Sequence, residues 1–237
     1  MTTTTLRRIL SAVGCSCLVA ACAALPETYP PPANPFLSGA PSLEGAKSLQ
    51  PTKVGLVWLK PLTSAAPSDA AQRALAEKIK SQFAAGKRLE IVGSVTVPVA
   101  EGNTLAGLRK ASAPLKVQQV LVVMPRGAEV VSPAWLRYGR DGQAVGTRTD
   151  SYFTVSLVAL DLASGKSLFS VVANGEARLL VTDYEDARPW YPNISPGRSS
   201  SFIYPDKATF PPGEVRSVAL EEAVKGLIYE LDLALGS

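Results

Sequence analysis

The apolar positions of this chain switch between strand-like runs and helix-like stripes. Val54-Gly55-Leu56-Val57-Trp58-Leu59 is a continuous apolar run of strand length, the pattern of a strand buried on both faces. Pro67-Ser68-Asp69 then offers a helix start, and Ala71, Leu75, Ile79 and Phe83 recur every four residues, predicting a helix that ends near Gly86. Leu89 to Val97 is rich in β-branched residues and predicts a second strand. Asn103-Thr104 followed by Leu105, Leu108 and Ala111 predicts a short helix stopped before Pro114, and Val120 to Met124 predicts a third buried strand. The signal then weakens through Val130, Val131 and Trp135 to a turn-like Gly139-Arg140-Asp141-Gly142. Runs at Tyr152–Leu160 and Ser167–Ala173, joined by the glycine-containing turn Asp161–Lys166, predict a hairpin. Finally Ser217 offers a cap for a helix whose Leu220, Ala223, Val224, Leu227, Leu231 and Leu235 form one stripe. The order β-α-β-α-β-β-β-α predicts an α/β (α+β) fold, a mixed sheet of about five strands with three helices packed on it.

Three segments fall outside that pattern. Residues 1–21 have a basic start with Arg7 and Arg8 and an apolar stretch from Ile9 to Ala20, too short to span a bilayer and arranged like an export signal. Residues 23–52 carry Pro26, Pro30, Pro31, Pro32, Pro35, Pro41 and Pro51, so residues 22–52 read as an extended stalk, or less simply as a peptide ligand centred on YPPPANP. The single domain then occupies residues 53–237. Within it, Arg188 to Val215 is an irregular insertion without periodicity, with Trp190, Tyr191, Phe202, Tyr204 and Phe210 among six prolines.

All three cysteines lie in the first 22 of the 237 residues. Val19-Ala20-Ala21-Cys22 resembles the lipobox of bacterial lipoproteins, which implies cleavage before Cys22, lipidation of its thiol and anchorage in a membrane. Cys15 and Cys17 lie inside the apolar stretch without that context. With several acyl chains, at about 0.8 kcal/mol per buried methylene, such an anchor is effectively permanent. The resemblance further implies, through Ala23 rather than an aspartate after the cysteine, sorting to the outer membrane, facing the periplasm.

Composition removes several classes of activity. The chain has no histidine, the commonest general base and metal ligand, so Ser-His and Cys-His catalysis are excluded. Removing Arg7 and Arg8 from the 24 basic residues leaves 22 against 20 acidic ones, no footprint for nucleic acid. After processing only Cys22 remains, which leaves no internal disulfide and no cysteine zinc cluster.

The remaining chemistry is sparse. Asp183, Glu185 and Asp186 cluster at DYED, either as a solvated acidic turn or as a carboxylate pair for acid and base work. Ser164-Gly165-Lys166 joins two predicted strands and is a hairpin turn, not a phosphate loop. The serines at Ser94 and at Ser199 to Ser201 lie outside any nucleophile-elbow pattern. Trp190, Tyr191, Phe202, Tyr204 and Phe210 either form a patch for a partner or fold back over a sheet edge.

KVGLVWL, LEIVGSVTVP, QQVLVV and above all VSLVALDLASGKSLFSVVANGEA before the closing helix resemble the rhombotarget lipoproteins of bacterial envelopes. More distantly they are similar to the small domain shared by the curli secretion lipoprotein CsgG, the TolB amino-terminal domain and the LpoB activator of peptidoglycan synthesis. The rhombotarget pattern also has a glycine-rich motif, an apolar helix and a basic tail where this chain reads ELDLALGS, so processing of that end does not carry over. The resemblance implies a periplasm-facing protein that works by contact with an envelope protein or with its own copies, without cofactor or catalytic residues. Two rival expectations stand beside it: a cell-wall hydrolase using Asp183 to Asp186, and a CsgG-like ring. The ring requires lipid-facing strands of about 9 to 11 residues, against which the charges and glycines of residues 130–149 argue.

Overall fold

The computed structural model of the protein describes residues 29–43, 52–60, 66–84, 89–138, 141–182, 200–203 and 212–235. β1 (Thr52–Lys60) leads to α1 (Asp69–Gln82) and back to β2 (Leu89–Pro98). α2 (Val99–Gly102), α3 (Leu105–Ser112) and a 3-10 turn over Ala113–Leu115 precede β3 (Gln119–Tyr138). β4 (Asp141–Asp161), β5 (Ser167–Thr182), β6 (Ser200–Ile203) and α4 (Pro212–Leu235) follow. The strands form one mixed sheet in the order β2-β1-β3-β4-β5-β6. β1 is parallel to both its neighbours, which helical crossovers require, whereas the tightly connected β3, β4 and β5 are antiparallel.

Local chemistry explains the boundaries. Ser68 Oγ accepts from the Ala71 amide and Thr104 Oγ1 from the Gly107 amide, capping α1 and α3 where the sequence predicts. In the β4–β5 turn Asp161 Oδ1 accepts from the Ser164 amide at 2.7 Å and from its hydroxyl at 2.8 Å, which holds the carboxyl below its usual range. Gly165 completes that turn at φ +73°, a conformation that favours glycine.

The sheet carries apolar layers on both faces, which is why its central strands read as unbroken apolar runs. On one face Leu75 and Ile79 of α1, and Leu220, Leu227 and Leu231 of α4, pack on Leu56, Trp58, Leu121, Phe153, Leu157 and Phe169. On the other, Val57, Leu59, Val120, Val122 and Leu160 are covered by Leu108 of α3 and by Phe36. Helix α4 approaches β5 so closely at Gly175 that a Cβ there would lie 2.2 Å from the Ala223 nitrogen and 2.5 Å from the Ala219 oxygen. Both obstacles are backbone, so Gly175→Ala is expected to push the helix off the sheet at a cost of about 1–3 kcal/mol, read as a lowered urea midpoint.

Four expectations are corrected. The region from Val130 to Thr149 is not a weak connection: β3 and β4 run on as one antiparallel ladder from Gln119↔Asp161 to Tyr138↔Asp141. Charges and glycines do not prevent strands there, because alternation places polar residues on the faces while the backbone pairs regardless. β6 arises within the segment expected to be irregular and pairs parallel with Glu176 to Leu179, adding a sixth strand. α4 starts at Pro212, so Ser217 lies inside the helix; proline suits a first turn, where its missing N–H has no intrahelical partner to lose. Residues 29–43, expected within the stalk, lie against the sheet.

Candidate contact surface

Five prolines lie within residues 29–43, and proline has no N–H to donate to a ladder, so this strap meets the sheet in an isolated parallel bridge, Ser42↔Ser170, rather than as a strand. It is instead held by its carbonyls. Pro41 O accepts from the Ser170 amide at 2.8 Å and the Ser170 hydroxyl at 3.1 Å, Phe36 O accepts from Ser167 Oγ at 3.1 Å, and Pro31 O accepts from Arg126 Nη1 at 3.3 Å. The buried Asn34 donates from Nδ2 to Val122 O at 3.0 Å, while its Oδ1 accepts from the Phe36 amide at 3.1 Å. At the start of the strap the Tyr29 hydroxyl donates to Glu176 Oε2 at 2.9 Å, and its ring meets Tyr152 edge-on with centroids 5.4 Å apart. The strap therefore runs from the middle of β4 and β5 towards their shared turn.

Beyond Tyr29 the same face carries a charged cluster. The register pairs Asp150 with Arg178, Tyr152 with Glu176 and Thr154 with Asn174 across β4 and β5. Asp150, 4% exposed, accepts from Arg148 Nε at 2.6 Å and is also held by the Arg178 guanidinium. Burial, then the Asp150 charge, push the Tyr152 phenol up, while Arg178 partly opposes them. Charge-assisted bonds of this kind lock the lateral register of two strands.

The opposite face has a matching tie. Arg216 in the first turns of α4 donates Nε and Nη2 to Glu129 of β3 at 2.8 and 2.7 Å, and Ser151 Oγ adds a bond at 3.1 Å. The Arg216 hydrogen bonds hold the Glu129 carboxyl below the usual range against the opposing effect of burial. A carboxyl depressed on folding contributes stability above its unfolded pKa and loses it as the pH falls through the folded value. Stability is thus expected to decline as the pH drops through and below about 4.3, the ordinary glutamate value, and Glu129→Gln should flatten that part of the profile in acid titrations of the urea midpoint.

The residues singled out in the sequence are placed unevenly. Cys22, Asp183, Glu185, Asp186, Trp190, Tyr191, Tyr204 and Phe210 lie outside the described residues. Phe202 lies on β6, where its backbone is the register partner of Arg178. The two ionic ties have no local signature in the sequence beyond the alternating charge of Arg148-Thr149-Asp150, which says nothing of the strand that supplies Arg178. Among the described residues no group of three or more cysteine, aspartate or glutamate side chains is placed to hold a metal. No described helix is long and apolar enough to cross a membrane.

No protein-family model and no curated protein sequence matches the chain. Solved structures do. A neuraminyllactose-binding hemagglutinin homolog from Helicobacter pylori is similar at 9% identity with a TM-score of 0.45, covering 88% of this chain and 92% of that one. PelC from Paraburkholderia phytofirmans, solved as a dodecamer, is similar at 16% identity and a TM-score of 0.30, over 57% of this chain and 76% of that one. Lipoprotein GNA1162 from Neisseria meningitidis is similar at 13% identity and 0.25, over 61% and 86%.

Proposed function

We propose that this is a bacterial envelope lipoprotein, anchored in the outer membrane through Cys22, whose α/β domain acts by non-enzymatic contact with an envelope protein or with another copy of itself. The observation that carries the reading is the strap. Only residues 23–28 separate Cys22 from Tyr29, which is fastened to Glu176 and Tyr152, so a lipid on Cys22 would hold the domain in a restricted orientation rather than on a long stalk. Presentation of one surface at a fixed height is what a contact protein needs.

The carboxylates of the hydrolase reading, Asp183, Glu185 and Asp186, lie outside the described residues, and those that are described serve the fold. Asp150, Glu129, Glu176 and Asp161 are each engaged by a cation or a hydroxyl, arrangements that hold strands and turns together. β3 and β4 are long enough to cross a bilayer, yet Phe153, Val155 and Ala177 are buried in the layer beneath α4, and Tyr152 is covered by the strap. That favours a contact module over a lipid-facing pore.

The test compares the parent with Cys22→Ala by membrane fractionation and by the mass of the mature amino-terminal peptide. Acylated Cys22 and membrane recovery are expected for the parent, and an unprocessed or released chain for the variant. Identical maturation and fractionation of the two would overturn the anchor. Crosslinking in intact cells then identifies the contact, and Trp190→Ser with Tyr191→Ser should reduce its yield; unchanged yield removes those aromatics from the surface.

A further inference from the structure

The two borders of the sheet are covered unequally. Beyond β5 the backbone is met by β6 at Glu176–Leu179 and by the strap at Ser170. β2 is the last strand on the other side, and among the described residues no strand pairs with its outer edge. A bare edge is a template for another strand, and natural edges are blunted by charge, proline or bulges. β2 has a bulge at Val92 and ends at Pro98, but the residues between, Gly93 to Val97, carry no charge.

Side-chain placement shows which backbone groups point outwards. Leu89 and Ile91 pack beneath α1, and Ile91 turns its N–H away from β1, to Phe83 O at 2.7 Å. In a strand of L-residues the face taken by a side chain fixes the side to which that residue's N–H and C=O point. Beyond the bulge Ser94 returns to the α1 face, its Oγ donating to Glu77 Oε1 at 2.6 Å, while Val95 and Val97 pack on the opposite face. Ser94 and Thr96 therefore direct N–H and C=O outwards, and Val95 and Val97 direct theirs to β1.

This edge is complementary to itself. Set antiparallel to a second β2 about a two-fold axis at Val95, Ser94 of each copy lies opposite Thr96 of the other, and the exchanged N–H···O bonds use every outward group of both residues. Hydroxyl meets hydroxyl on the α1 face and valine meets valine on the other, both favourable cross-strand pairs. Moving the axis to Ser94 would set Thr96 against the bulge at Val92, and moving it to Thr96 would set Ser94 against Pro98, which has no N–H.

Charge on α1 fits the same axis. Glu77 stands beside Ser94 and Phe83 O beside Ile91, so α1 runs antiparallel to β2. Arg73, four residues before Glu77, lies about 6 Å along the helix, or about two strand residues, at the level of Thr96. Arg73 and Glu77 are exposed, and the neighbouring side of α1 is the one tied to α4, through Lys78 and Glu221. Because the two-fold sets Ser94 against Thr96, it also sets Glu77 of each copy against Arg73 of the other.

We infer that the open edge of β2 is where this chain pairs with a second copy of itself, β2 to β2 and antiparallel, joining the two sheets into one. This rests on the contact reading above and commits it to a copy of the chain.

The test uses the full-length protein. In membranes, oxidation of Val95→Cys should crosslink two copies, because Cα atoms facing each other across a non-hydrogen-bonded pair lie about 4.5 Å apart, within disulfide reach. The parent and Val172→Cys, 40% exposed on β5, should not crosslink. In detergent, Arg73→Glu should weaken self-association about tenfold, two exposed ion pairs being lost at once, and adding Glu77→Arg to the same chain should restore it. Thr96→Pro deletes an outward N–H and should leave a monomer whose urea midpoint stays close to that of the parent. Should Thr96→Pro not fold, the charge reversal and its rescue still decide. A parent that stays monomeric, or a dimer that survives Thr96→Pro and Arg73→Glu alike, overturns the edge pairing. A chain that crosslinks in cells only to a different envelope protein overturns the second copy and leaves the contact reading standing, whereas one that crosslinks to nothing overturns both.

Discussion

Trp58→Ala should lower the stability of the domain by about 3–5 kcal/mol, the range for truncating a large buried aromatic. Trp58 is fully buried on β1, between β2 and β3, in the layer beneath α1. Its Nε1 donates to Gln72 Oε1 at 3.1 Å, and Gln72 Nε2 donates to Pro67 O at 3.0 Å. Truncation thus opens a cavity and also strips a partner from a buried amide, adding about 1–3 kcal/mol where no water replaces it. Against a total stability of about 5–15 kcal/mol, that leaves a fraction of the domain unfolded at working temperature. Urea midpoints measure the loss, and Trp58→Phe separates its parts, since the ring is largely kept while the donor is removed. A midpoint for Trp58→Ala equal to that of the parent would mean that β1 is not the centre of the core.

Asp150→Ala is the second large effect expected. The carboxylate bonds both Arg148 and Arg178, whose side chains are only 29% and 16% exposed, so its removal takes a buried countercharge from two partly buried guanidinium groups. Breaking a buried ionic arrangement by deleting one partner costs about 3–5 kcal/mol, much of it the burden of the charge left behind. Asp150→Asn keeps the shape without the charge and should fall between parent and alanine variant. Replacing all three residues by apolar ones of similar volume should recover most of the loss, because paired buried charges add little net stability over well-packed side chains. If Asp150→Ala shifts the midpoint by no more than a few tenths of a kcal/mol, the guanidinium groups reach solvent and the cluster does not hold the strands.

The cluster and the strap depend on contacts between residues far apart in the chain. Ser68 and the Leu75–Ile79 stripe announce α1 because a cap and a buried face are properties of neighbouring residues. Asp150 has no such local signature: its partner Arg178 lies 28 residues away and meets it only once the β4–β5 register is set. The carboxylates at Asp183 to Asp186 stand together in the sequence and are legible there, whereas the ionic ties are assembled from separate strands.

What the sequence determined by itself is the mixed sheet with its helices, the double burial of β1 and β3, the capped starts of α1 and α3, and the Asp161–Lys166 turn. Each follows from apolar period or from hydrogen bonds spanning a few residues. Only the tertiary structure decided that the prolines after Tyr29 form a strap rather than a spacer, since proline-rich chain has the same composition free or docked and Asn34 finds Val122 O 88 residues away. It also decided how far the β3–β4 ribbon extends, because cross-strand backbone pairing, not apolar pattern, sustains strands whose faces carry charge.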